Sequence, residues 1–134
     1  VAVVLDSSAI VAFLDRDDAL HSAAADALGP LIREQRLLAS VVTFAEVLTG
    51  VQLMHHQEES VRGFFVDLIS KILPVEVATA ERAAVLRSDQ KALRMPDALI
   101  LAAADLHPEV ESLLTGDPDL AAVGGVDCRV DLFG

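Results

Sequence analysis

Four carboxylates stand where apolar segments begin or end. Asp6 follows the apolar run 1–5. Glu46 lies inside the apolar or small stretch 41–48. Asp97 directly precedes Ala98-Leu99-Ile100-Leu101-Ala102-Ala103-Ala104, and Asp117 lies in a turn after Leu113-Leu114-Thr115. Each has an ordinary structural explanation. Asp6 can cap a following helix. Asp97 can complement a helix dipole. Asp117 suits a turn beside Pro118, and Glu46 can be a solvated helical acid. Taken together they carry more weight, because an acid tied to a buried element is costly unless something compensates it. Converging carboxylates repel one another. A hard divalent cation relieves that repulsion at neutral pH better than protonation does. Mg²⁺ and Mn²⁺ prefer oxygen ligands and often keep several waters. One or two such ions would polarise a phosphate, generate hydroxide from water and steady a leaving oxygen.

The elements that must position these acids alternate between strand and helix. Residues 2–5 read as a short buried strand. Residues 8–14 and 20–35 read as helices, the second with Ala24, Ala27, Leu28, Leu31 and Ile32 on one face and Gly29-Pro30 as a candidate break. A strand is expected at 37–40 and a helix at 43–53, with Glu46 in its first turn. Val61, Phe64, Phe65, Leu68 and Ile69 follow helical offsets over 58–69. A strand over 72–77, a helix over 79–93 and a helix from Asp97 to 106 behind Pro96 follow. Residues 112–115 read as a strand, 116–119 as a turn and 126–132 as a last strand. Strands separated by helices imply a parallel sheet covered on both faces. In such sheets ligands gather beyond the carboxyl ends of the strands, near the switch point. All four acids are expected at that rim. The length of 134 residues fits a single domain spanning 1–134.

Composition bounds the function. The apolar content of 53% supports a sizeable core, and no apolar run approaches membrane length. Residues 1–5 are too short for a secretion signal. The single Cys128 forms no internal disulfide, so a cytoplasmic setting is expected. The net charge of −11 argues against a general nucleic-acid binder, which usually carries a basic face. An acidic chain can still act on phosphates when its negative charge is gathered around a cation. There is no Trp or Tyr, so base stacking would fall to five Phe residues. His55 and His56 are adjacent and would point about 100° apart on a helix. No HExxH pattern, P-loop, GxGxxG or Gly-x-Ser-x-Gly frame is present. Arg82, Arg87, Lys91 and Arg94 form either a phosphate-guiding ridge or a solvated face balanced by Glu81 and Asp89. Val61, Phe64, Phe65 and Leu68 read as core. Leu99, Ile100 and Ala103 suit either core or a dimer seam.

Four segments resemble the motifs of PIN domains, in order and over nearly the whole chain. They are Val3-Val4-Leu5-Asp6-Ser7-Ser8-Ala9, Thr43-Phe44-Ala45-Glu46-Val47, Asp97-Ala98-Leu99-Ile100-Leu101-Ala102-Ala103-Ala104 and Leu113-Leu114-Thr115-Gly116-Asp117-Pro118-Asp119-Leu120. Any one is weak; four in order, each at a strand–helix joint, are specific. The resemblance implies a three-layer α/β/α fold with a central, mainly parallel sheet. It implies a Mg²⁺ site (Mn²⁺ as the other candidate) formed by Asp6, Glu46, Asp97 and Asp117. Ser8 and Thr115 would support those ligands, and Asp119 would replace or assist Asp117 or face solvent. The small size and the Ala/Leu-rich third motif resemble bacterial VapC toxins. That likeness implies an endoribonuclease leaving a 5′-phosphate and a 3′-hydroxyl, a homodimer, and inhibition by a VapB-like antitoxin.

Other readings are a non-toxin PIN nuclease of RNA processing, a partner-binding module without catalysis, and a phosphohydrolase with an aspartyl nucleophile. The last commonly shows Asp-x-Asp after the first strand, where this chain has Asp6-Ser7-Ser8.

Overall fold

Strand β1 (Ala2–Leu5) has no accessible residue, as a parallel strand covered on both faces requires. The computed structural model describes residues 1–134. After β1 come α1 (Ser7–Leu14), α2 (His21–Glu34), β2 (Arg36–Ser40), α3 (Val41–Gln52), α4 (Glu58–Asp67) and β3 (Ile69–Leu73). Then follow α5 (Val77–Asp89), α6 (Met95–Leu106), β4 (Val110–Thr115), α7 (Pro118–Ala121) and β5 (Arg129–Leu132). The five strands form one sheet in the order β3-β2-β1-β4-β5, and every pairing is parallel. The chain winds outward from β1 to one edge, then returns to the other side of β1. The switch point therefore lies between β1 and β4.

The period of two along each strand divides the core. Ala2, Val4, Leu38, Leu73 and Leu113 face one side, packed with Ala83 and Leu86 of α5 and Ile100 and Leu101 of α6. Val3, Leu5, Leu37, Ala39 and Leu114 face the other. There they meet Ile10 of α1, Leu28 of α2, Val47 of α3, and Val61, Phe64 and Phe65 of α4. The sheet is thus covered by helices on both faces, as its sequence pattern predicts. All five Phe side chains belong to the α1–α4 side, and Phe44 meets Phe65 edge-on at 4.7 Å. Ile100 and Ala103 are buried in the α6 side of the core. No helix is long and apolar enough to cross a membrane.

Several boundaries differ from the sequence reading. Strand β3 covers Ile69–Leu73 rather than 72–77. Ile69 fits the apolar spacing of α4 as well as a strand, so periodicity assigns it to the wrong element. Pro74 lacks an N–H and cannot prolong the ladder. Helix α2 continues through Gly29-Pro30. Helix α5 ends at Asp89, short of Leu93. Residues 118–121 form the short helix α7 instead of an open turn, and β5 begins at Arg129 rather than 126. The Ser40 hydroxyl accepts from the Val42 N–H and starts α3 two residues early. Glu46 consequently lies in the second turn of α3, not the first.

Candidate active site

Asp6 sits at the carboxyl end of β1, directly over the switch point. Its backbone N–H donates to the Leu114 carbonyl at 3.0 Å, continuing the β1–β4 ladder by one residue. The side chain is 5% exposed yet makes no capping bond to α1, so helix capping does not explain it. Instead Oδ2 accepts from the Ser8 hydroxyl and from the Thr115 hydroxyl, each at 2.8 Å. Both donors converge on one oxygen and leave Oδ1 without a protein donor. The Thr115 hydroxyl in turn accepts from the Asp117 N–H at 3.0 Å, and the Ser8 hydroxyl from the Gly116 N–H at 2.9 Å. One hydrogen-bonded unit therefore fixes the end of β1, the start of α1 and the turn after β4.

Glu46 is half-buried on α3, and its Oε1 accepts from the Ser7 hydroxyl at 2.6 Å. Ser7 thus ties Glu46 to the residue beside Asp6. Sequence reasoning passed over Ser7; the only signal was its place in the hydroxyl pair after Asp6. Asp97 lies in the first turn of α6, behind Pro96, with its side chain 15% exposed. Burial pushes its carboxyl above the ordinary range. The Arg94 guanidinium, whose Nε lies 3.4 Å from Oδ2, pulls it back, and the charges of Asp6 and Asp117 push it up again. Asp6, Asp97 and Asp117 therefore share one electrostatic field. Asp117 caps α7 by accepting the Asp119 N–H at 2.9 Å, so its ordinary turn role is real as well. The Asp119 side chain is exposed.

The donor set suits a hard cation: carboxylate oxygens backed by hydroxyls, with neither imidazole nor thiolate among them. No group of three or more His, Cys, Asp or Glu side chains stands close enough together to hold a metal ion among themselves. That spacing remains compatible with Mg²⁺, which is usually held through one or two carboxylates and keeps its remaining waters. A cleft of about 380 Å³ opens against Asp97 and Asp117, with Arg94 and Asp119 beside it. The proposed basic ridge is largely spent on structure. Arg82 binds Asp105 at 3.2 Å and the Gly125 carbonyl, and Arg87 binds the Leu93 carbonyl at 2.7 Å. Only Arg94 of that group borders the cleft.

A family model described as PIN domain matches residues 3–126. Among solved structures, the chain is similar to one from a toxin–antitoxin complex of Klebsiella pneumoniae. The TM-score is 0.72 at 29% identity, covering 96% of this chain and 95% of that one. VapBC-5 from Mycobacterium tuberculosis, a member of the VapBC family of toxin–antitoxin systems, matches with a TM-score of 0.61 at 27% identity. The match covers 98% of this chain and 96% of the other. VapBC2 from Rickettsia felis, solved on a DNA fragment from its promoter, gives a TM-score of 0.75 with both chains covered completely. At 17% identity that likeness is one of fold. No curated protein matches the chain.

Proposed function

The chain belongs to the PIN-domain family, and from that premise we propose that it is the toxin of a VapBC-type pair, a metal-dependent endoribonuclease. The observation that carries the reading is the carboxylate group at the β1–β4 switch point, with Asp6 locked by Ser8 and Thr115. Asp6, Glu46, Asp97 and Asp117 would hold Mg²⁺ or Mn²⁺, one or two of them as direct ligands and the others through the ion's waters. The ion, when bound, would polarise the phosphodiester and lower the pKa of a water. The protein's own part is positional. The hydroxyls of Ser8 and Thr115 hold Asp6 through Oδ2 and leave Oδ1 without a protein donor, and the Ser7 hydroxyl holds Oε1 of Glu46. A carboxylate of this group orients the attacking water and takes its proton. Residues 1–134 act as one nuclease unit in the cytoplasm.

The similarity to chains of toxin–antitoxin complexes supports a VapB-like partner, and a homodimer is what the resemblance to VapC toxins implies. An antitoxin tail carrying Arg would find carboxylates ready for bidentate pairing at the cleft. Purified protein, freed of any partner, should cut RNA with Mg²⁺ or Mn²⁺ and stop in chelator, leaving 5′-phosphate ends. Asp6→Asn and Asp97→Asn should each lower the rate by orders of magnitude with the circular-dichroism spectrum unchanged. Near-normal cutting by either folded variant removes that residue from the site. Cutting that survives chelation overturns the metal dependence.

A further inference from the structure

The cleft beside the acids has a mixed character that metal binding does not use. Buried Leu93 and Leu120 and half-buried Val123 line it. Asp97 and Asp117 line the same cleft, so a nucleotide held with its phosphate at the acids places a base within reach of these apolar side chains. The volume of about 380 Å³ falls within the roughly 300–1,000 Å³ of small-ligand sites. We propose that this cleft receives the nucleobase next to the scissile phosphate and that Asp119 selects guanine there. The proposal rests on the nuclease reading above.

The choice of base follows from which polar groups at the cleft are free. The Gln90 amide is committed in both directions, donating to the Gly124 carbonyl at 3.0 Å and accepting its N–H at 3.3 Å. Asp97 faces Arg94, and Asp117 accepts the Asp119 N–H. The Asp119 carboxylate is exposed and receives no donor from the protein. An ionised carboxylate only accepts, and its two oxygens match two neighbouring N–H donors. Guanine alone offers such a pair, N1–H and the N2 amine. Adenine and cytosine each set one amine beside an acceptor nitrogen, and uracil sets one N–H between two carbonyls. Single-stranded RNA exposes these edges for reading. With every Phe committed to the opposite core, the base faces rest on aliphatic side chains and on the plane of Arg94, whose side chain is 73% exposed.

Two measurements test this. The first maps the cut ends of a randomised single-stranded RNA pool for the unmodified protein and for Asp119→Asn. Guanine should dominate one position flanking the cut. The variant should lose about 5- to 150-fold of its preference for guanine over adenine. The second titrates GMP and AMP into Mg²⁺-loaded protein by NMR. GMP should bind more tightly and shift signals of Leu93, Leu120 and Val123, and Asp119→Asn should abolish the difference. Equal binding of the two nucleotides, or cutting without base preference, overturns the proposal. An equal loss of cutting across all sequences in the variant also overturns it and assigns Asp119 to the metal-holding acids. Selective GMP binding without any RNA cleavage upholds the pocket and defeats the nuclease reading instead.

Discussion

Replacing Asp97 by Asn separates a ligand from a structural acid through stability alone. If Asp97 serves only α6, the change costs its interaction with the helix N-terminus, about 0.3–1 kcal/mol. It also costs the ion pair with Arg94, whose exposed side chain limits the pair to roughly 0–1 kcal/mol. The charge is opposed, however, by burial and by Asp6 and Asp117. Because the folded-state pKa is raised, the folded chain binds the Asp97 proton more tightly than the unfolded chain. Stability from this group is full below the ordinary carboxylate range and falls as pH rises through the raised value. At neutral pH the ionised acid is therefore a net burden, and Asn removes it. Without metal the variant should melt no lower than the unmodified protein. At about 2.1 cal/mol/K per residue over 134 residues, 1 kcal/mol corresponds to roughly 4 °C. A purely structural Asp97 therefore predicts a loss of roughly 1–8 °C, well within calorimetric reach. Mg²⁺ at a hundredfold excess over its dissociation constant adds about 2.7 kcal/mol, or roughly 10 °C, to the unmodified protein. The variant should gain distinctly less. Equal metal-induced shifts in both proteins, or a lower melt of the variant in chelator, would refute the reasoning.

Ser7→Ala frees Glu46 from its 2.6 Å donor and should lower RNA cleavage by about 10- to 100-fold, with Ser7→Thr restoring most of it; an unchanged rate for Ser7→Ala ends its role as the positioner of Glu46. The Thr43 hydroxyl is buried without any partner, which costs about 1–3 kcal/mol, so Thr43→Val should raise the denaturant midpoint. A midpoint lowered by that isosteric change contradicts the assignment. Burial pushes the Cys128 thiol up to about 11, with Asp105 adding to the shift. Alkylation at pH 8 should be slow in the native protein and fast in denaturant. Stability from this group is full below the ordinary thiol range and is lost as pH rises through about 11, which a pH series of melts will display.

The sheet was legible because each strand is short, apolar and bounded by a helix signal. Ala2–Leu5 needed no tertiary information. Boundaries failed where one residue satisfies two periods: Ile69 continues the α4 stripe and also opens β3. The proximity of Asp6 to Asp117 followed from strand ends alone. The partners did not. Ser7 and Ser8 are adjacent hydroxyls with equal sequence claims, and only the start of α1 at Ser7 sends one to Glu46 and the other to Asp6. Arg82 has an acid next to it in Glu81, but its bond goes to Asp105 on α6, a choice made by helix packing. The depth of Asp97 was hidden in the same way, since it comes from how α6 is enclosed by α5, α3, β2 and β4.

The two hydroxyls that lock Asp6 lie 3.3 Å apart in space, but Thr115 leaves a ribosome 107 residues after Ser8. At the usual 5–20 residues per second that interval is several seconds to about twenty. Throughout it the emerging polypeptide lacks a complete β4 to close the switch point, so the hydrogen-bonded unit around Asp6 cannot form. The same topology makes the hydrogen-bonded unit sensitive to trimming: removing the segment after Leu114 takes away Thr115 and Asp117, and with them one of the two hydroxyls that hold Asp6.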